Sequence, residues 1–471
     1  MVCVVGAGSS GIASCQVLHA RGIPFDCFEV GSDVGGNWRY LNDNGMSSAY
    51  RSLHINSSKE SMQYAAYPMP REWPSYLGHK AIASYFDDYV DHFGFRNKIQ
   101  FRTRVVDVRP APESGWLVTV RHEDTGDERT QRYRAVLVAN GHHWDPRYPD
   151  PAYPGTETFP GEQMHSHDFK TPERFAGKRV LVVGFGNSAC DIAVESSMVA
   201  DRTVLSIRRT AHVLPKFLFG IPTDHLTLLG ASTLPNWIQR KVFRVLLLIA
   251  RGRMSSYGLP EPDHEVLRSH PTISDSLLSK IGHGDIEVRP NIERIDGEKV
   301  FFADGTAEAV DTIVWGTGYK ISFPFLDPEI VPVRDNEVTM YRRVVPIERP
   351  GLYFIGLVQP VGAIMPVAEA QSEWVADLLE GKVALPTEEK MRREIAARAA
   401  VQTKRYVPSQ RHTIQVDFAR YLSEIRRERR RQAVRRAPVR KPAVGPAVTD
   451  PAVTDPAVTE TAAVDTTAVG R

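Results

Sequence analysis

Two glycine-rich turns, each set between a short apolar strand and a stretch able to form a helix, predict an α/β protein. Its architecture is two doubly wound, Rossmann-like dinucleotide-binding domains, the second inserted into the first. The turns are Gly6-Ala7-Gly8-Ser9-Ser10-Gly11 and Gly184-Phe185-Gly186-Asn187-Ser188-Ala189. Apolar strands that follow the second βαβ unit supply the return of the chain to the first domain. The expected limits are residues 1–160 and 311–425 for the first domain, 161–310 for the inserted one, and 426–471 for a basic, disordered tail. A chain of 471 residues has room for this, at roughly 100–200 residues per domain.

The elements follow in order. Val2-Cys3-Val4-Val5 is a short, mostly β-branched run, with only five residues ahead of Gly6, so the first strand is expected to be short. Ile12 to Ala20 can be helical, and Pro24 to Glu29 reads as the second strand. Trp116–Val120 and Lys299–Thr306 read as hairpin arms, with turns at Asp124-Thr125-Gly126-Asp127 and Asp304-Gly305. Arg179–Val183 and Thr203–Ile207 flank the second turn and its helix. Thr312–Trp315 and Leu352–Phe354 are further strands, and Ala368 to Glu380 is a further helix. Residues 420–436 form a basic, helix-compatible stretch, followed by PAVTD, PAVTD and PAVTE repeats at 446–460. Repeats so poor in large apolar side chains predict disorder.

Composition narrows the classes. The hydrophobic fraction is 42% and the charged fraction 24%, which excludes a fibrous or wholly disordered chain. No apolar run approaches the ~18–20 residues that span a bilayer. The N-terminus lacks the basic region and cleavage site of a signal peptide, so a cytosolic (cytoplasmic) location is expected. Cys3, Cys15 and Cys27 are spaced twelve apart. They fall on a strand, a helix and a strand and form no C-x-x-C pair, so they read as core residues. Ten Lys/Arg against five Asp/Glu from Arg426 onward make the tail +5, so a chain of net charge +2 has a body of −3. Such a body gives no reason to expect nucleic acid as partner.

The first turn carries the chemistry of a dinucleotide site. Gly6 permits the tight turn, Gly8 lets backbone approach a pyrophosphate, and Gly11 allows close helix–strand packing. Glu29, eighteen residues past Gly11, is placed to hold ribose hydroxyls. Gly35-Gly36-Asn37-Trp38 then suits a loop laid against the FAD phosphates and ribityl chain. After the second turn's second strand come Arg208 and Arg209 rather than an acid. Arginine there suits a 2′-phosphate, hence NADP.

Between the two units, Phe159-x-Gly161-x-x-x-His165-x-x-x-Phe169 completes a set of motifs. Asn56-Ser57-Ser58-Lys59-Glu60, Tyr67-Pro68-Met69-Pro70, Gly318-Tyr319 and Gly356-Leu357-Val358-Gln359-Pro360 also belong to it. Over residues 1–425 the chain resembles the flavin-containing monooxygenases, class B single-component flavoproteins. Related Baeyer–Villiger enzymes usually carry Trp where this chain has Phe169. The resemblance implies that NADPH reduces FAD, that oxygen adds to give a flavin hydroperoxide, and that an amine nitrogen or sulfide takes the distal oxygen. It places Asn56 beside the flavin as the catalytic residue, and an amide suits that place because it offers donors and an acceptor without an acidic proton. By the same resemblance FAD contacts Gly6, Ala7, Gly8, Ser9, Ser10, Glu29, Gly36, Asn37, Trp38, Asn56 and Ser57. NADP contacts Ile55, Asn56, Ser188, Ala189, Cys190 and Asp191, with Gly184, Gly186 and Asn187 forming its turn and Gln359 at the far motif. His165 reads as structural.

The family usually has Ala where this chain has Gly316, and a mild effect is expected. No metal-ligand set is expected. The stretch Val242–Ala250, flanked by Arg240, Lys241, Arg251 and Arg253, suits a buried helix or substrate entrance, and alternatively a weak peripheral membrane contact. Beyond a small-molecule substrate and oxygen, the sequence leaves monomer or homodimer open. A Baeyer–Villiger ketone oxygenase and a flavin-bearing redox-sensing or binding protein without turnover are the competing functions.

Overall fold

The computed structural model describes residues 1–226, 236–266, 268–405 and 413–431. The PAVTD repeats and residues 432–436 of the basic stretch lie outside the described residues. Val2–Val5 is a four-residue strand with every side chain buried. That burial is what a continuous apolar run gains as the centre of a parallel sheet covered on both faces. It pairs in parallel with Phe25–Phe28 on one side and Ala135–Val138 on the other. Leu352–Phe354 and Ile99–Gln100 extend the sheet outward. The result is five-stranded, in the order 352–354, 135–138, 2–5, 25–28, 99–100.

A second five-stranded parallel sheet runs 287–289, 202–206, 179–183, 312–315, 162–165. The first sheet thus draws strands from both sides of the second in sequence. The second Rossmann-like unit is inserted into the first. The expected division at 310/311 is corrected by strand pairing: Thr312–Trp315 lies between Arg179–Val183 and Glu162–His165. Its four residues, all buried and three of them apolar, are those of an interior strand of the second sheet, not of a returning first domain. Both expected hairpins form, within antiparallel sheets of strands 103–110, 116–122, 128–133 and 292–296, 299–302, 307–309.

Helices Ser9–Ala20 and Met365–Leu379 pack together on the first sheet. Ser14 and Ser372 hydroxyls meet at 2.9 Å between them, and Arg21 reaches Asp377 at 2.5 Å and Glu380 at 2.8 Å. Cys3, Cys15 and Cys27 are buried free thiols, and burial pushes the Cys3 thiol up.

The expected start of the tail at 426 is too early. Helix Phe418–Arg429 is capped by Asp417, whose carboxylate accepts from the Arg420 N–H at 3.1 Å. It buries Tyr421, Ile425 and Glu428, and Arg429 donates to Asp377 at 2.7 Å. Glu428, Arg429 and Arg431 therefore pack on the body, while Arg426, Arg427 and Arg430 are exposed. The stretch 242–250 forms part of helix Asn236–Arg251. It is buried on one side only: Phe243 and Leu247 pack with Leu214, Leu218 and Val266, while Val242, Val245, Leu248 and Ile249 are exposed. Among the described residues no helix is long and apolar enough to cross a membrane.

The departure at Gly316 is compensated. A Cβ there would lie 2.6 Å from the Ala189 Cβ and 2.9 Å from the Val183 carbonyl oxygen. Ala189 occupies the third position of the second glycine motif, so alanine on the helix is matched by glycine on the neighbouring strand end. We expect Gly316→Ala to cost about 1–3 kcal/mol by overpacking. Adding Ala189→Gly should recover part of that loss, so a double-mutant cycle read by thermal unfolding should be non-additive. Purely additive costs would contradict the contact.

Candidate functional site

The C-terminal ends of the two parallel sheets open on one cleft of about 1480 Å³. Ordinary small-molecule pockets hold roughly 300–1,000 Å³, so this one has room for more than one ligand. Gly6 (φ +95°) turns the chain out of the first strand. The Gly35 N–H donates to the Ala7 carbonyl at 3.0 Å, which brings the second glycine loop onto the first. A Cβ on Gly36 would stand 3.0 Å from the Gly8 Cα, and one on Gly8 would stand 3.6 Å from the Gly36 Cα. Side chains at either position would fill the space over the helix N-terminus at Ser9. That bare backbone fits a pyrophosphate, since the positive end of the helix and its first N–H groups face it.

Glu29 is only 4% exposed. Its carboxylate accepts from the Ala7 N–H at 2.7 Å, the Gly31 N–H at 2.9 Å and the Asn44 amide at 3.2 Å. An ionised carboxylate has about four acceptor positions, so three bonds fix its pose and leave capacity for a ligand hydroxyl. Asn37 is fixed likewise: its Oδ1 accepts from the Ser48 N–H at 2.7 Å and the Ser48 hydroxyl at 2.8 Å.

Asn56 and Ser57 line the cleft, on a segment held from outside. The Ser58 N–H and hydroxyl donate to Asp224 Oδ2 at 3.0 and 2.7 Å. The buried Lys59 ammonium donates to the carbonyls of Pro70 at 2.9 Å, Arg71 at 2.6 Å and Trp73.

The second turn repeats the construction. Gly184 (φ +121°) approaches Gly316 so closely that a Cβ would stand 2.5 Å from its carbonyl oxygen. Gly186, Asn187, Ser188 and Ala189 line the cleft at the N-terminus of helix Asn187–Ser196. Arg208 and Arg209 line it too, exposed on its wall. Arg147 joins them. Burial, and after it the Arg208 charge, lowers the Arg147 pKa. Asp263, also on this wall, is held low chiefly by its bond to His264 and further by Arg209.

Of the remaining sequence-predicted residues, Ser9, Ser10, Trp38 and Gln359 line the cleft. Ala7, Gly11, Ile55, Cys190 and Asp191 do not. The Ala7 N–H is taken by Glu29, and a Cβ on Gly11 would fall 1.8 Å from the Gly6 carbonyl oxygen, so Gly11 serves helix–strand packing. Ile55 and Cys190 are fully buried. Asp191 turns away, and its carboxylate accepts the Tyr50 hydroxyl. His165 is buried, its Nδ1 accepts the His167 N–H at 3.0 Å, and burial pushes it down to about 4. Its side chain does not line the cleft.

Sequence reasoning missed His142, His143, Trp144 and Arg147, all on the cleft wall. They follow strand Ala135–Val138, a four-residue apolar run that carries no turn or glycine signal of its own. Recognising it would have exposed them, because ligands in such sheets bind beyond the carboxyl ends of the strands.

The flavin-binding monooxygenase-like family matches residues 1–432. Flavin-containing monooxygenase 5 of Rattus norvegicus is 38% identical over 443 residues, covering 90% of this chain and 81% of the relative. The N-oxide-forming dimethylaniline monooxygenase 2 of Mus musculus is 36% identical over 438 residues, with the same coverage. Among solved structures, the S-allyl-L-cysteine S-oxygenase of Allium sativum superposes with a TM-score of 0.68 at 25% identity, covering 92% of this chain and 89% of that one. An open cyclohexanone monooxygenase structure shares the fold at TM-score 0.66 and 16% identity, covering 90% and 96%.

Two acids on helix Asn187–Ser196 give the site a pH signature. Burial pushes Asp191 up to about 6, against the opposing effects of Tyr50, Lys216 and His54. Burial and the Asp191 charge push Glu195 up to about 7, with Arg51 opposing. Both hold protons longer in the folded than in the unfolded chain, so their contribution to stability falls as pH rises from about 4 to 7. We expect an Asp191→Asn/Glu195→Gln variant to gain Tm relative to wild type across that window. A flat or reversed difference would contradict the assignment.

Proposed function

The chain belongs to the flavin-binding monooxygenase-like family, and on that premise we propose an FAD enzyme that uses NADPH and oxygen to oxygenate an amine nitrogen or a sulfide. The observation that carries this reading is the opening of both glycine turns on a single cleft with Asn56 on its wall. Bound FAD would take electrons from NADPH and supply the oxygen chemistry. The chain's own residues bind, orient and shield. Gly6, Gly8, Ser9, Ser10 and Gly36 would offer bare backbone and N–H groups to the FAD pyrophosphate, with Glu29 on a ribose. Gly184, Gly186, Asn187 and Ser188 would do the same for NADP, with Arg208 and Arg209 on its 2′-phosphate. Asn56 would present amide donors at the junction of the two, held in place through Ser58 and Lys59. In this assignment residues 1–160 and about 316–431 form the flavin-binding body, and 161–315 the NADP-binding one.

The activity is tested by supplying a thioether, a tertiary amine and a cyclic ketone in parallel with NADPH and air. Sulfoxide or N-oxide formation supports the reading. Lactone as the exclusive product would establish the Baeyer–Villiger alternative. Flavin that NADPH leaves oxidised would favour a binding or sensing role.

The cofactor preference follows from Arg208 and Arg209. A hydrogen bond to a charged group contributes about 1.5–3 kcal/mol. An Arg208→Ala/Arg209→Ala variant should therefore lose about tenfold to hundredfold of the preference for NADPH over NADH in kcat/KM. Equal use of the two by the wild type would sink the assignment.

A further inference from the structure

Asp191 was expected on the nucleotide, and its actual contact leads elsewhere. It stands on helix Asn187–Ser196, whose N-terminus faces the cleft. Its half-buried carboxylate accepts the Tyr50 hydroxyl, and one turn further along Glu195 accepts the Ser52 hydroxyl. The Tyr50 ring also packs on Phe169, the last residue of the His165 motif, at 5.8 Å between centroids. From Tyr50 the chain has little slack before Asn56. The Leu53 N–H donates to the Tyr50 carbonyl at 3.0 Å, the Arg51 N–H to Lys170 at 2.9 Å, and the Ile55 N–H to Leu77 at 2.9 Å. The short segment from Tyr50 to Asn56 is thus tied at Arg51, Leu53 and Ile55.

We propose that Asp191 and Tyr50 form a clasp between the second glycine turn's helix and the segment that carries Asn56, and that they are positioning residues for the oxygenation. The inference rests on the reading of Asn56 given above. Neither carboxylate needs to touch a ligand. Asp191 fixes Tyr50, Glu195 fixes Ser52, and together they set the distance between Asn56 and whatever occupies the turn at Gly184–Ala189. The clasp places nucleotide occupancy and Asn56 pose under one constraint.

The test uses the purified flavin-loaded protein and its Tyr50→Phe, Asp191→Ala and Asp191→Asn variants. Three quantities are read: bound flavin per chain, hydrogen peroxide released per NADPH consumed, and the change that added NADP⁺ makes in the absorption spectrum of the oxidised flavin. We expect Tyr50→Phe and Asp191→Ala to retain flavin and to keep KM for NADPH within about twofold. Peroxide release should rise at least threefold, and the NADP⁺-induced spectral change should shrink. A Tyr50→Phe/Asp191→Ala double variant, prepared alongside, should be no worse than the worse single one, as for partners in one interaction. Asp191→Asn keeps an acceptor for the Tyr50 hydroxyl and should restore wild-type coupling. Wild-type peroxide release and spectra in Tyr50→Phe would overturn the clasp. So would a tenfold rise in KM for NADPH at unchanged coupling in Asp191→Ala, which would make Asp191 a nucleotide contact. Should Asp191→Ala fail to fold, Tyr50→Phe and Asp191→Asn decide the question alone. A wild type whose flavin NADPH cannot reduce would refute the functional reading itself, which separates the two failures.

Discussion

A helix N-terminus serves a phosphate only if the helix meets the strand end with nothing between them. That close approach is the constraint on which this structure depends. In the first unit it is met where Gly11 lies against the Gly6 carbonyl, with no room for a Cβ. In the second it is met by a different division of labour: Ala189 on the helix is accommodated because Gly316 on the adjacent strand end has no side chain. Both solutions bring bare backbone to the mouth of a parallel sheet, where helix dipoles and unpaired N–H groups favour anions. Both mouths line one cleft.

Much of this was legible in the sequence because glycine spacing reports backbone geometry directly. The two turns, the flanking strands and the hairpins at 116–133 and 299–309 all have local signatures, and the repeat of the βαβ unit along the chain points to the insertion. The failures are equally physical. Ala135–Val138 is too short and too evenly apolar to be distinguished from a buried helical segment. It nonetheless pairs with the first strand and delivers His142 to Arg147 to the cleft. Thr312–Trp315 looks like any interior strand, and its sheet is decided by pairing partners far away in sequence. The packing of residues 426–431 was hidden by their charge: Arg429 and Glu428 are buried or half-buried because acids and bases from other elements meet them.

Position within a motif was a weaker guide to which residues touch the cleft. Ile55, Cys190 and Asp191 lie within or beside motifs whose neighbours line it, yet their side chains serve the core or another segment. On a helix, adjacent residues point about 100° apart, so Cys190, two places beyond cleft-lining Ser188, faces the core, while Asp191, nearly a turn further from the helix start, reaches Tyr50 instead. Lys59, by contrast, would pass for a surface charge in the sequence. Its ammonium is buried and holds three carbonyls, stiffening the segment that carries Asn56.

The central claim is that one cleft holds FAD and NADPH in productive contact. Its most direct test is to mix the flavin-loaded protein with NADPH in the absence of oxygen and then admit air with a thioether present. The visible flavin absorption should vanish on mixing and return on aeration, with close to one sulfoxide formed per NADPH consumed. A flavin band that NADPH leaves unchanged would contradict the account.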